Sequence, residues 1–295
     1  MRTLCYAVRV KPGYLIGTCS WNFDDWVGLV YSDRQRRAVD YLPEYARRFT
    51  TAEIDSWFYR IPDRRSVSEY LASVPPGFSF TCKVPQEITL THQRRRRRSD
   101  PLEVNPGFLS VERFMRFLEA VEPLLPRLDA IMFEFEYLNR SKMDGLPQFL
   151  DALGPFLDRI PSGLPYAVEP RNANYLEPQW FSFLLEHHSA HVFSQKRYMP
   201  DVWEVYEAHR STIDRMQRSV IRLLGGDRAA IEAQTGGTWN KVVLQRPLEK
   251  QRIAGMVASM VGTLFTIISV NNHYEGCAPA TVSDLKQLIT RAIGA

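Results

Sequence analysis

At 295 residues, with 45% hydrophobic and 24% charged side chains, 16 glycines and 19 prolines, the chain has the make-up of an ordinary globular protein, which excludes a disordered tail or a fibre. Lys and Arg exceed Asp and Glu by four, yet residues 94–98 are five consecutive arginines and without them the balance would be −1, so the basicity is one local feature and not a basic face. A chain of this length forms either two small domains or one α/β barrel, since barrels run to about 250 residues undivided.

The N-terminal stretch carries Arg2, Arg9 and Lys11 and has no apolar run long enough for a signal-peptide core. The cysteines Cys5, Cys19, Cys82 and Cys277 lie far apart, with no Cys-x-x-Cys pair and no His at zinc-ligand spacing. Structural zinc and a disulfide framework are not expected, and a cytoplasmic setting is.

Short apolar or β-branched runs then alternate with longer stretches of helical spacing. In chain order the pattern predicts a strand at 14–20, a helix at 34–49, a strand at 52–58, a helix at 66–73 and a strand at 78–84. The longest connection, 85–110, follows this third strand and holds the arginine run. A helix at 111–125, a strand at 130–136, a helix at 147–160, a strand at 165–170 and a helix at 178–188 come next. Strands at 190–195, 219–224 and 264–271 alternate with helices at 201–216, 248–261 and 282–293, the last opened by Thr281 and Asp284 as a helix-start capping pair. Residues 253–272 lack charged side chains and are long enough to span a bilayer, at about 20 residues. Gly255, Ser259, Gly262, Thr263, Thr266 and Ser269 dilute them, so they read as a helix ending near Gly262 and then a buried strand, with no membrane partner. No repeat and no Gly/Ser or Pro-rich linker divides the chain. Eight strands, each followed by a helix, predict a single (β/α)8 TIM barrel over residues 1–295.

In such a barrel, polar residues at the C-terminal strand ends point into the mouth. Alternation pairs Glu53 with Asp55, Glu134 with Glu136, and Glu169 with Arg171 on common faces. Buried carboxylates need cations, donors or a metal, and Lys83, Arg171 and Arg222 are the available cations. A satisfied ion-pair network is the structural alternative to a catalytic set. The catalytic candidates are Glu169, Glu134, Lys83 and Glu53; Ser20, Trp21, Asp55, Tyr59, His92, Glu136, Arg171, Arg222, Asn271 and Asn272 are candidates for substrate binding. Glu134, Glu136 and Glu169 could hold Mg²⁺ or Mn²⁺, although no cofactor is expected with assurance. Glu53, Glu134 and Glu169 could also supply a glycosidase pair, but the seventh strand carries Arg222 where common barrel glycosidases place an acid. Gly225 and Gly226 lie where barrels often bind phosphate.

These residues bring out a resemblance. Ile16-Gly17-Thr18-Cys19-Ser20-Trp21 with Trp26, Gly28 and Tyr31, then Tyr45-Ala46-Arg47-Arg48-Phe49 leading to Glu53-Ile54, Phe58-Tyr59 and Pro62, resemble the domain of unknown function 72 (YecE-like) family. Lys83, Ile88-Thr89, Thr91-His92, Glu169-Pro170-Arg171, Arg222 with Gly225, and Asn271-Asn272 extend it over nearly the whole chain. The resemblance implies a TIM barrel and no particular activity. Where such proteins tend to read Phe-Gln-Leu-Pro on the fourth strand, this chain has Phe133-Glu134-Phe135-Glu136, and Leu224 and Asn172 stand where they tend to carry histidines. A mechanism needing either histidine does not carry over.

The expected function is an enzyme of hydrolase or lyase type acting on a phosphorylated or nucleic-acid-derived substrate by carboxylate acid–base chemistry, its partner a small anionic or phosphate-bearing ligand. The absence of a Gly-rich dinucleotide fingerprint and of a P-loop supports this over other classes. The alternative is a non-catalytic nucleic-acid-binding or adaptor protein that uses the arginine run from Arg94 to Arg98.

Overall fold

A computed structural model describes residues 13–95, 97 and 99–294 of the chain; Cys5 and two of the five arginines, Arg96 and Arg98, lie outside the described residues. The apolar runs form eight strands: β1 (Gly13–Cys19), β2 (Thr51–Ile54), β3 (Ser79–Lys83), β4 (Leu128–Glu134), β5 (Tyr166–Glu169), β6 (Ala190–Lys196), β7 (Arg218–Gly225) and β8 (Phe265–Val270). They pair in parallel in chain order, and β8 closes on β1, so no edge strand is left to cover.

Helices pack around this barrel: α1 (Leu42–Tyr45), α2 (Arg64–Ala72), α3 (Gln86–Thr89), α4 (Val111–Val121), α5 (Leu146–Arg159), α6 (Pro178–Glu186), α7 (Val202–Ile213), α8 (Arg228–Thr235), α9 (Pro247–Met260) and α10 (Ala278–Ile293). The uncharged stretch 253–272 divides between α9 and β8, and among the described residues no helix is long and apolar enough to cross a membrane. Cys19, Cys82 and Cys277 are buried free thiols.

Several elements differ from the sequence pattern, one being the single turn α3 inside the expected connection 85–110. The helix expected at 34–49 is a 3-10 turn, Ala38–Tyr41, running into the single turn α1, with Pro43 in its first turn, the place where a proline is tolerated. The second strand stops at Ile54, and Ser56–Phe58 form a 3-10 turn that lifts the chain out of the sheet. Helix α8 was not expected; its start is marked by Asp227, whose side chain accepts from the Ala230 amide.

Alternation along the strands divides the core. Outward residues form a large layer under the helices that includes Phe80, Phe133, Val168 and Ile221, whereas a small inner plug consists of Ala130, Met132, Ala167, Ala190, Val192, Val220 and Ile267. Two residues beyond Met132, Ala167, Val192 and Val220 come Glu134, Glu169, Ser194 and Arg222. With a side-chain period of two, these four face the same interior, one layer above the apolar plug. The fold thus places a polar layer at the C-terminal mouth of the barrel.

Candidate active site at the barrel mouth

Register sets the electrostatic problem. Glu134 on β4 stands directly beside Glu169 on β5, and like charges in that position repel. Arg222, from the far side of the barrel, resolves this: its Nη1 donates to Glu134 Oε2 at 2.9 Å and to Glu169 Oε2 at 2.6 Å. Its Nε and Nη2 donate to Glu53 Oε2 and Oε1 at 3.0 and 2.6 Å. One guanidinium, 2% exposed, therefore joins three carboxylates from three strands. Arg171 covers the same pair from above, Nη2 lying 2.9 Å from Glu134 and Nε 2.9 Å from Glu169. Ser194 donates to Glu169 Oε1 at 2.6 Å.

Lys83 holds the other flank, with Nζ 2.5 Å from Asp55, 3.3 Å from Glu134 and 3.8 Å from Glu53. Burial pulls this ammonium down, but the three carboxylates outweigh it and raise it above the ordinary lysine value. Glu134 is pushed up by burial and held well below the usual carboxylate range by Lys83, Arg171 and Arg222. Glu53, fully buried, is raised by that burial against the pull of Arg222, with the Asp55 charge adding to the rise. Four carboxylates thus meet three cations, leaving one negative charge that a proton or a further cation must balance. At the end of β6 the exposed Lys196 has no ion pair among the described residues, and desolvation and Arg171 draw its amine below the ordinary lysine value.

Above this layer lies a cleft of about 270 Å³, lined among others by Phe58, Leu90, His92, Arg94, Glu134 and Lys142. Its roof is the connection after β3, which is a finger rather than an open loop. His92 bridges Val104 in antiparallel fashion, Gln93 N donates to Glu103 O at 2.8 Å, and Asn105 N donates to Thr91 O at 2.9 Å. Asn105 Nδ2 ties the base to Glu87 O and Leu90 O, at 2.9 and 2.6 Å. Of the arginine run, Arg94, Arg95 and Arg97 therefore fall beyond the bridged base of the finger and are exposed. Glu136 fastens the finger, accepting from Thr91 Oγ1 at 3.3 Å on one side and from Lys142 Nζ on the other.

The structure brings together Glu53, Asp55, Lys83, Glu134, Glu169, Arg171 and Arg222 as one ion-pair network. Tyr59 and His92 lie at the rim, lining a second shelf of about 470 Å³ beside the cleft. Other candidates stand elsewhere. Trp21 is a core residue, 2% exposed, packed on Tyr70 and Phe80, with its indole donating to Ala38 O at 2.7 Å. Ser20 donates to Asn22, Asn271 caps the 3-10 turn of His273, and the buried Asn272 accepts from Ala278 N at the start of α10. Glu136 turns to Lys142 while Glu134 and Glu169 turn to Arg222, and among the described residues no cluster of three or more such side chains is arranged to hold a metal ion. Gly225 serves close packing, since a Cβ there would lie 2.2 Å from His273 O. Sequence reasoning missed Ser194 and Lys142 as members of the mouth; the strand alternation that found Glu134 also marks Ser194, whereas Lys142 lies on a loop with no such signal.

Comparison with known proteins follows this geometry. A family model described as "Protein of unknown function DUF72" matches residues 15–294. The UPF0759 protein YecE of Escherichia coli K12 is 29% identical over 167 residues, which are 57% of this chain and 50% of that protein, and YecE of strain O157:H7 matches equally. The chain spans about half the length of these curated relatives. Among solved structures, a DUF72 family protein from Thermotoga maritima MSB8 is similar with a TM-score of 0.68 at 20% identity, covering 94% of this chain and 99% of that one. One from Enterococcus faecalis V583 gives 0.68 at 19% identity, covering 94% and 95%. At that identity the likeness establishes the fold alone.

Proposed function

This chain belongs to the DUF72 family, and we propose that its barrel mouth is the active site of a cytoplasmic acid–base enzyme, a hydrolase or lyase acting on a phosphate-bearing or nucleic-acid-derived substrate. The observation that carries this reading is Glu134: a member of a network with one carboxylate more than its cations, it also lines the cleft where a substrate would sit. Networks held only for stability are satisfied internally; this one keeps an odd charge at an open face.

The geometry supports the following roles. Arg222, Glu53 and Glu169 form a buried floor that fixes the other groups and touches no substrate. Glu134 stays ionised and stabilises positive charge that develops on the substrate. Burial raises Glu53, whereas at Asp55 desolvation is outweighed by Lys83 and Arg222, which hold it below its ordinary value. A proton that balances the odd charge therefore rests on Glu53, and Asp55, 29% exposed, is the ionised acceptor for a substrate proton. Lys83 and Arg171 are already paired with carboxylates. A substrate phosphate in the cleft is therefore held by Arg94, which lines it, while Lys196 offers a separate exposed ammonium at the end of β6.

A second reading, a non-catalytic nucleic-acid-binding protein, is favoured by one observation: Arg94 and Arg95 line the same cleft. The two are separated by thermal shift with Mg²⁺, Mn²⁺, nucleotides, sugar phosphates and short oligonucleotides at two salt concentrations, followed by turnover assays on any hit. A salt-tolerant shift by a small phosphate ligand or a metal, with turnover lost in Glu134→Gln, supports the enzyme. Shifts by oligonucleotides alone, abolished by salt and by replacing the arginine run with serine, support the binding protein instead.

A further inference from the structure

Among the described residues the exposed tyrosines all stand at one end of the barrel. Tyr59 follows β2, Tyr137 follows β4 and Tyr198 follows β6, and they are 69%, 63% and 82% exposed. Rings of this size ordinarily bury most of their surface, so three bare rings on three connections of the mouth call for an occupant. Tyr198 stands out further, because its backbone holds φ at +69°, a conformation that bulky residues rarely adopt.

Each ring has a cation nearby in the chain. Arg60 follows Tyr59, and Arg140 stands three residues beyond Tyr137. The Arg197 guanidinium lies 4.7 Å from the centroid of the Tyr198 ring and pairs with the half-exposed Asp227 at 2.6 Å, a solvent-facing pair that a phosphate would have to replace. Between the first two connections rises the arginine finger, and Tyr59 shares its shelf with Arg60, His92 and Arg94. Neighbouring strands lie about 4.8 Å apart, so connections from alternate strands start about 10 Å apart around the mouth. The rings are thus spaced along an arc, with positive charge between them.

We propose that this rim is a track for single-stranded nucleic acid, whose bases stack on Tyr59, Tyr137 and Tyr198 while the adjacent arginines neutralise its phosphates. Stacking needs free base faces, which a duplex keeps inside its helix, so the track selects single strands. A neutral sugar chain would also stack on tyrosines, but it has no use for arginines placed beside them. The inference rests on the mouth being a site for nucleic-acid-derived substrates, and it makes that substrate a polymer strand.

The test is fluorescence anisotropy of labelled oligo-dT and oligo-U of about 12 nucleotides, against a hairpin duplex, at about 50 and about 200 mM salt. The parent chain is compared with Tyr59→Ala, Tyr137→Ala and Tyr198→Ala, and with the Tyr→Phe versions that keep the ring; thermal midpoints verify that these surface variants fold. Single strands should bind more tightly than the hairpin. Each Ala variant should weaken binding about 5- to 100-fold, with the Phe variants within about twofold of the parent. Unchanged affinity in the Ala variants, equal affinity for the hairpin, or tyrosine-dependent binding of a soluble neutral polysaccharide in place of oligonucleotides would overturn the track. Turnover of a small phosphate substrate without any oligonucleotide binding would remove the track and leave the enzyme standing. Tyrosine-dependent binding without turnover would do the reverse.

Discussion

Arg222 grips Glu53 as a two-pronged fork, Nε to Oε2 at 3.0 Å and Nη2 to Oε1 at 2.6 Å, between side chains that are 2% and 0% exposed. The remaining nitrogen serves Glu134 and Glu169, so one side chain on β7 compensates acids on β2, β4 and β5. Sequence separation is wide, 169 residues in the case of Glu53. The pairing therefore exists only once the barrel has closed.

Replacing Arg222 by Met should accordingly be severe. It removes the fork on the buried Glu53, which keeps only Lys83 at 3.8 Å, and leaves four carboxylates to two cations, a loss of about 3–5 kcal/mol in urea unfolding. Arg222→Lys should recover less than half of this, because a single ammonium cannot fork across Glu53 and also reach Glu134 and Glu169. A loss below about 1 kcal/mol for the Met variant would mean that the acids are not ionised in the folded protein.

The pH dependence of stability should carry opposite signs for two of these acids. Glu134 is held below its ordinary value of 4.5, so its contribution is complete above about pH 4.5 and is lost as the pH falls through its folded value. The stability deficit of Glu134→Gln should be full at pH 7 and shrink in acid. Glu53 is raised from 4.5 by burial, so its contribution is present below that value and is lost as the pH rises through its folded value. The deficit of Glu53→Gln should therefore narrow as the pH rises above about 4.5. Chemical denaturation from acid, below about pH 4.5, up to neutrality reads both, and deficits that move together would contradict the opposed shifts.

What the sequence made legible follows from this arrangement. Strand alternation identifies which side chains point inward, and Glu53, Lys83, Glu134, Glu169 and Arg222 do share the interior. Beyond a strand end alternation no longer decides: Asp55, one residue past β2, still meets Glu53 at Lys83, whereas Glu136, two residues past β4, turns to Lys142. Glu136 and Asp55 sit on the loops beyond β4 and β2, and their directions are set by Lys142 and Lys83. Asn272 and Trp21 looked like mouth residues because they follow strands, yet one caps a helix and the other fills the core under α2. Polarity at a strand end marks a position, whereas its partner is decided by tertiary contacts that no local pattern encodes.

Gly225 and Gly226 separate packing from backbone freedom. At Gly225 φ is +82° and an added Cβ would lie 2.2 Å from His273 O, so Gly225→Ala must both adopt a left-handed backbone and displace the turn after β8. A loss of about 2–3 kcal/mol is expected. At Gly226 the Cβ would meet only Arg246 Nη2, at 3.5 Å, an ordinary contact, and Gly226→Ala should stay within about 0.5 kcal/mol. Thermal or urea unfolding of the two variants decides it; a phosphate-binding role for the pair would instead make Gly226→Ala the more damaging to ligand binding than to stability.

The finger over the cleft hangs on Glu136, which takes a hydrogen bond from Thr91 on the finger and an ion pair from Lys142 on the connection after β4. Both are partly exposed, with Glu136 25% and Lys142 18% accessible, so the pair contributes little to global stability, about 1 kcal/mol or less. Its effect is local. The antiparallel bridge of His92 to Val104 and the Asn105 bonds fix the finger's base, while Glu136 fixes its inclination toward Glu134. Glu136→Ala should therefore raise amide exchange at 90–94 and 102–105 by about tenfold, with exchange in β4 and β5 unchanged. Lys142→Ala should do the same more weakly, since Thr91 still holds Glu136. If exchange rises equally in the barrel strands, Glu136 is a stabilising residue of the whole fold; if it rises nowhere, the finger is held by its base alone and the cleft keeps its shape without the latch.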